Sequence, residues 1–437
     1  MGVVQYSWIS IYWFGDIVAY WCFLFCGHVI SYKLATMERT MITRSVETRN
    51  AVIPSTTVAV RSADKAHLLY IDNLRTTLIT FVILLHTAIT YGAVGEWYYY
   101  ESGDTNAIVL IVMMFVGAIG SAFVLGLFFM LAGYFTPRSY DKKGFGGFLA
   151  DRAKRLLIPL ALYEIIIFPS VRYGVRVKDG FQGSLWDHLA EHFQGLETIA
   201  DGPVWFLLAL MIFSLFYALW RLVAKSDTQQ QGVPNNWMIA LFAVVLGIVT
   251  FITRLQFPVG AFYEPLHQEL AHYPQYIAMF AIGTLAYRRE WLTKFSDSQS
   301  RPWNWVALAC ILTLPAIVIA AGALTGELDE RGAGGWNWIS FSYSMWEGFA
   351  CVAMTVITLA WFRKRFDHQG WVAAKMADAT FTAYIIHPAI IVPLALLLSG
   401  VTMNLSLKFL IVAPIAIGLT YIVSYYFRRL PLVRNIF

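Results

Sequence analysis

Residues 107–136 read AIVLIVMMFVGAIGSAFVLGLFFMLAGYFT, a run without one charged side chain. About 20 apolar residues in α-helix cross a bilayer core, whereas a barrel strand needs about 10 residues of alternating polarity. This run is therefore a spanning helix with length to spare. Working outward, comparable apolar stretches lie near 73–92, 156–173, 203–223, 236–256, 272–288, 303–322, 337–361, 379–399 and 408–427. The expected fold is all-α: a polytopic transmembrane bundle with a ten-helix core. The third helix is short, and 181–195 after it suits a helix lying along the interface.

Composition agrees. Of 437 residues, 58% are hydrophobic and 14% charged, and mean hydropathy is +0.59. A soluble globular chain carries about 25% charged residues, so two or three soluble domains are excluded. Aromatics at 16%, including 16 Trp, favour membrane interfaces. No Lys/Arg-rich block interleaved with aromatics occurs, which leaves nucleic acid without a footprint. Cys22, Cys26, Cys310 and Cys351 lie in apolar runs without a CxxC spacing. They read as small apolar residues, not as a disulfide framework or a metal site. No internal repeat or low-complexity tract stands out.

Loop charges set the expected orientation. One set of connections holds Arg138, Lys142, Lys143, Arg152, Lys154, Arg155, Arg221, Lys225, Arg288, Arg289, Lys294, Arg301, Arg363, Lys364, Arg365 and Lys375, and the tail adds Arg428, Arg429 and Arg434. The other set holds only Arg172, Arg176, Lys178, Arg254, Arg331 and Lys408, with acidic Glu327, Asp329 and Glu330. The richer side is cytoplasmic, and ten helices put both ends of the core, including the C-terminus, there. Residues 1–66 stand apart from the domain at 67–437. They hold an apolar run, 3–32, interrupted by Asp16 and His28, then a polar stretch. That run reads either as an eleventh helix or as sequence upstream of a start at Met37 or Met41.

Ionisable groups within spanning helices cost about 2.5–3.5 kcal/mol on insertion scales and mark function by default. In the first core helix Arg75 and His86 are eleven positions apart. At 100° per residue they share one face, separated by about 16 Å along the axis. Asp72 lies near the same face. The plain alternative is an interfacial Asp-Arg pair and a structural histidine. Arg152 and Arg155 open the third helix one turn apart. They read either as a topological anchor or as guanidinium forks for phosphates. Glu347 sits mid-helix with Ser340, Tyr343 and Ser344 on its side, and needs a partner such as a histidine. Thr380, Tyr384 and His387 share a face, followed by Pro388, which distorts a helix locally. Glu164 is a weaker candidate of the same kind.

Four stretches together resemble the acyltransferase-3 family of integral membrane acyltransferases: Ile71-Asp-Asn-Leu-Arg75 with His86; Arg152-Ala-Lys-Arg155 followed by Leu-Leu-Ile-Pro159; Gly202-Pro-Val-Trp205-Phe-Leu; and Ala383-Tyr-Ile-Ile-His387-Pro388. They follow the family's order over about 68–437. The Asp-Asn-Leu-Arg opening, His86-Thr-Ala-Ile-Thr-Tyr91-Gly92 and Leu430-Pro-Leu-Val-Arg434 look like its branch of glucan-biosynthesis succinyltransferases.

The resemblance implies transfer of an acetyl or succinyl group from cytoplasmic acyl-CoA to a hydroxyl of a carbohydrate or other acceptor on the outer side of a plasma membrane. It needs no metal. His86 matches the essential histidine, Arg75 the first-helix arginine, and Arg152 with Arg155 the donor-side pair. Trp205 matches a pocket or packing position, and Asp72, Tyr384 and His387 join it as candidate substrate contacts. A neutral imidazole, with a reference pKa near about 6.5, suits His86 as general base. Glu347 is a candidate to orient its ring, and an acyl-histidine relay is the other route. The rival readings are a transporter or flippase for a polar lipid or glycan, with these residues lining its path, and a sensor without catalysis.

Overall fold

The computed structural model describes residues 68–93, 95–194, 201–224, 232–320, 332–431 and 433–434. Residues His67–Phe437 form one compact unit. The expectations for residues 1–66, with Cys22 and Cys26, lie outside the described residues. Among the described residues there is no strand, only an isolated bridge between Tyr263 and Gln268. The protein is an all-α polytopic membrane bundle.

The order begins with α1 (Leu69–Thr90). The helical run Ala107–Leu162 breaks at Gly144, whose φ of 69° and ψ of −179° leave helical space. A continuous helix from 111 to 178 would be about 100 Å long, roughly three times the hydrocarbon thickness. The run is therefore two crossings joined by an elbow. α2 covers 107–143, and α3 starts at 145 and continues through a π-turn at Tyr163–Ile167 into Phe168–Lys178. Then follow α4 (Leu185–Gln194), α5 (Trp205–Val223), α6 (Asn236–Arg254), α7 (Tyr273–Arg288), the single turn α8 (Trp291–Lys294) and α9 (Asp297–Ala320). The chain ends with α10 (Trp338–Arg365), α11 (Trp371–Ile386), α12 (Pro388–Leu398) and α13 (Leu405–Phe427).

Seven stretches among the described residues are long and apolar enough to cross, and α11 with α12, bent by 66°, makes an eighth. One of the seven is the elbowed pair α2 and α3, and α7 is short. Every one of the ten expected segments is helical. The third begins well before the expected residue 156. Charged residues from Lys142 to Arg155 interrupt the apolar run, but the chain is already helical again from 145. α4 lies where an interfacial helix was expected and exposes Leu185, Trp186 and Phe193.

Contacts at the helix ends sort the connections into two sets. At the basic end Arg288 grips Asp141 with both guanidinium nitrogens, at 2.5 and 2.8 Å. Arg363 meets Asp297, and Asn73 donates to the carbonyls of Phe366 and His368. At the opposite end the 91–106 loop is tied to α13 by the buried pair Glu101–Lys408, 2.7 Å apart. Helix association in a membrane depends on close packing, which small residues permit. A Cβ at Gly133 would overlap the Phe280 carbonyl, and one at Gly283 the Met130 carbonyl, so α2 and α7 touch backbone to backbone. Cys310 and Cys351 are buried in apolar clusters.

Gly283→Ala is expected to destabilise the bundle by about 1–3 kcal/mol, because backbone atoms cannot retreat from the added methyl. Gly418, also helical, has open space around its Cβ direction. A thermal melt in detergent checks this: Gly283→Ala lowers Tm, and Gly418→Ala does not.

Candidate active site

The site begins with a backbone consequence of Pro388. Proline has no N–H, so the carbonyl four residues earlier, that of Tyr384, loses its helical partner. The chain bends there, between α11 and α12. His387 sits at the bend, fully buried, and its Nδ1 lies 2.6 Å from that carbonyl. A carbonyl only accepts, so Nδ1 carries the proton, and in the neutral ring Nε2 is the acceptor. His86 of α1 places Nδ1 2.9 Å from that Nε2. Its Nδ1–H donates, which leaves the lone pair on His86 Nε2. That atom has no hydrogen-bond partner among the described residues.

Aromatic side chains wall the pair. Trp97, from the loop after α1, stacks on His86 with centroids 4.2 Å apart and planes 10° apart. The Tyr384 hydroxyl donates to the Pro203 carbonyl, and the hydroxyls of Tyr98 and Tyr163 bond each other. Gly202 has φ of +64°, and a Cβ there would strike the Tyr98 hydroxyl. The Gly-Pro-Val-Trp motif is thus a close-fitting turn against Tyr98 and Tyr384. Trp205 itself is half-buried and stacks with Tyr276. Thr76 and Thr380 share a hydrogen bond of 3.0 Å, and the Tyr421 hydroxyl donates to the Thr76 carbonyl. These contacts lock α1 against α11 and α13 on the basic side of His86.

Arg75 and Asp72 remain near the basic end, 3.9 Å apart, with Arg75 partly exposed. Arg155 points outward and pairs with Asp151. Arg152 turns inward: it donates to the Thr136 hydroxyl at 3.3 Å and lies over the Phe148 ring. Its Nε is buried without a hydrogen-bond partner among the described residues. Eleven residues further along α3, about 16 Å by helical rise, Tyr163 reaches Tyr98 beside the histidines.

The expected pairing of Glu347 with His86 does not occur. Both carboxylate oxygens of Glu347 are taken elsewhere: Arg254 at 2.5 Å and His272 at 2.8 Å. Ser344 also accepts from Arg254, whose guanidinium lies over Tyr343. Ser344 and Glu347 share a face of α10, and that face seats Arg254. Arg254 is correspondingly not a loop charge, being 1% exposed. Sequence reasoning also passed over His272, whose partner Glu347 is 75 residues away, and Trp97, which a loop rather than a helix face brings onto His86.

A third group lies outside the helices. His267 bonds Glu264 at 2.7 Å and Glu96 at 3.2 Å, with Asp201 at 3.9 Å. Glu96 precedes Trp97, so this contact ties the loop over His86 to the 255–269 loop. Partial burial opposes charge on His267, but the bonds to Glu264 and Glu96 outweigh it and hold the imidazole above its ordinary range.

Comparison with known proteins assigns the chain. A family model described as an acyltransferase domain matches residues 68–429. No curated protein and no solved structure matches the chain. The chain belongs to the acyltransferase-3 family of integral membrane acyltransferases.

Two outcomes follow from this geometry. Arg254→Met strands the Glu347 carboxylate and is expected to cost about 3–5 kcal/mol, whereas adding Glu347→Leu recovers much of it; thermal melts of the single and double variants measure both. The raised pKa of His267 stabilises the fold fully below its unfolded value of about 6.5, and this contribution fades as pH rises through the folded value. The Tm gap between wild type and His267→Gln is therefore widest in acid and closes in alkali.

Proposed function

We propose that the protein moves an acyl group from cytoplasmic acyl-CoA, acetyl or succinyl, to a hydroxyl of a carbohydrate acceptor on the outer side of a plasma membrane, with His86 as general base. The observation that carries this reading is the hydrogen-bond chain from the Tyr384 carbonyl through His387 to His86, which leaves the lone pair of His86 Nε2 without a partner among the described residues. By the positive-inside rule the basic end and the C-terminus are cytoplasmic.

The Nε2 of His86 takes the acceptor hydroxyl's proton as that oxygen forms its bond to the thioester carbon. The C–S bond then breaks, and the imidazolium returns its proton to the departing CoA sulfur. While His86 is charged, its bond to His387 becomes charge-assisted and stronger. His387 thus fills the orienting role that a carboxylate fills in a hydrolase triad. Arg152 suits the CoA phosphates, being a cation with a free donor and no carboxylate of its own in ion-pair range among the described residues. Arg155, already held by Asp151, contributes to the field at the entrance. The neutral pantetheine arm spans the distance from Arg152 to His86 between apolar helices.

The bent pair α11–α12 is also a feature that transporters use to build midplane sites. One experiment separates the readings: free CoA release from acetyl-CoA and succinyl-CoA by purified protein in vesicles. Wild type is expected to release CoA slowly from one donor. His86→Ala is expected to abolish this, since a general base contributes about 10²–10⁴-fold. Arg152→Ala raises the donor KM at least tenfold. Folded protein that neither binds nor consumes any acyl-CoA would overturn acyl transfer in favour of transport.

A further inference from the structure

The loop that closes over His86 carries an unused donor. Trp97 is 8% exposed, and its indole Nε1–H is buried with no hydrogen-bond partner among the described residues. An indole nitrogen can only donate. A buried donor without an acceptor is unfavourable and calls for an explanation. Three hydroxyls near the histidine pair are satisfied: that of Tyr98 bonds Tyr163, that of Thr90 bonds the His86 carbonyl, and that of Tyr384 bonds Pro203.

The indole is also held firmly. Its backbone N–H donates to the Tyr100 hydroxyl at 2.7 Å, and the Glu101 N–H donates to the Thr90 carbonyl at 2.8 Å. Glu101 accepts from both Lys408 and Tyr99, and the Leu405 N–H reaches the Asp104 carbonyl. The loop is therefore anchored to α1 behind it and to α13 beside it. The indole plane lies parallel to both imidazoles, with centroids 4.2 Å from His86 and 5.8 Å from His387.

We propose that Trp97 is a catalytic residue whose indole N–H donates to the thioester carbonyl oxygen and stabilises the oxyanion formed as the acceptor attacks. The assignment rests on the acyl-transfer reading given above. A hydroxyl oxygen in hydrogen-bond reach of His86 Nε2 attacks a carbonyl carbon about 3 Å away. The carbonyl oxygen, where negative charge collects, then lies within a few Å of the imidazole edge. A donor on the ring stacked 4.2 Å from His86, in a water-poor site, gains strength as charge develops. The substrate oxygen is the acceptor that Trp97 lacks in the free protein.

The test separates the N–H from the ring. Trp97→Phe keeps an aromatic face over His86, and Trp97→benzothienylalanine, placed by suppression of a stop codon, keeps the full bicycle with sulfur in place of N–H. CoA release from the donor the wild type uses, with water as acceptor, gives kcat and KM, and product inhibition by CoA gives Ki. Both variants are expected to lose about 10²–10³-fold in kcat, with KM and Ki within about twofold of wild type. Should Trp97→Phe fail to fold, the isosteric variant decides alone. A kcat within about threefold of wild type in the benzothienyl variant overturns the assignment. So does a loss accompanied by an equal rise in KM and Ki, which would mark a packing role. Folded wild type that neither binds nor turns over any acyl-CoA brings down the acyl-transfer reading and this assignment together; active wild type with an active benzothienyl variant brings down only the assignment.

Discussion

The missing N–H of Pro388 governs the site. Because proline cannot donate, the Tyr384 carbonyl is released inside a membrane-spanning helix, where an unsatisfied carbonyl is costly. His387 satisfies it, one residue before the proline and therefore always within reach. That bond selects the tautomer of His387, which selects that of His86, which presents Nε2 as the basic atom. The bend also turns α12 away from the line of α11 by 66°. One covalent feature thus sets helix direction, ring orientation and protonation pattern together.

The bundle holds a second polar centre of opposite character. Arg254, Glu347 and His272 form a buried charged network on α6, α10 and the turn before α7. Removing charges from water is expensive, so such a network is favourable only when its members are mutually satisfied. Here both carboxylate oxygens are occupied, and the guanidinium donates to Ser344 and lies over Tyr343, while its Nε has no hydrogen-bond partner among the described residues. That arrangement joins three elements that share few other polar contacts. It leaves Glu347 no free oxygen for His86, which is why the carboxylate cannot serve the role first expected of it.

The fold was legible because hydropathy alone identifies a spanning helix: each of the ten apolar stretches is helical. The elbow at Gly144 was less so, since charged residues around it masked how early α3 begins. Of the candidate site, His86 and His387 stood out by intramembrane position and Arg152 by its place at the basic start of the third helix. Pro388 marked the local distortion without showing which group would satisfy the freed carbonyl. What could not be read was partnership. Arg254 stands at a helix end and looks like a loop charge, and its partner lies 93 residues away. Trp97 is one aromatic in the run Trp97-Tyr-Tyr-Tyr100, and nothing local distinguishes it from an interfacial anchor. Stacking and ion pairing between distant segments leave no periodicity to detect.

The contrast between the two centres explains why a second histidine rather than a carboxylate supports His86. A carboxylate beside His86 would orient the ring equally well, but it would carry permanent charge into a pocket walled by Trp97, Tyr98 and Tyr384. Such a charge would need further partners, as Glu347 needs Arg254 and His272. In the proposed acyl transfer it would also repel the oxyanion that develops on the thioester oxygen. A neutral imidazole fixed by a backbone carbonyl supplies the same geometry without net charge. In the proposed transfer, charge arises at the site only as an imidazolium and an oxyanion formed together, and each attracts the other.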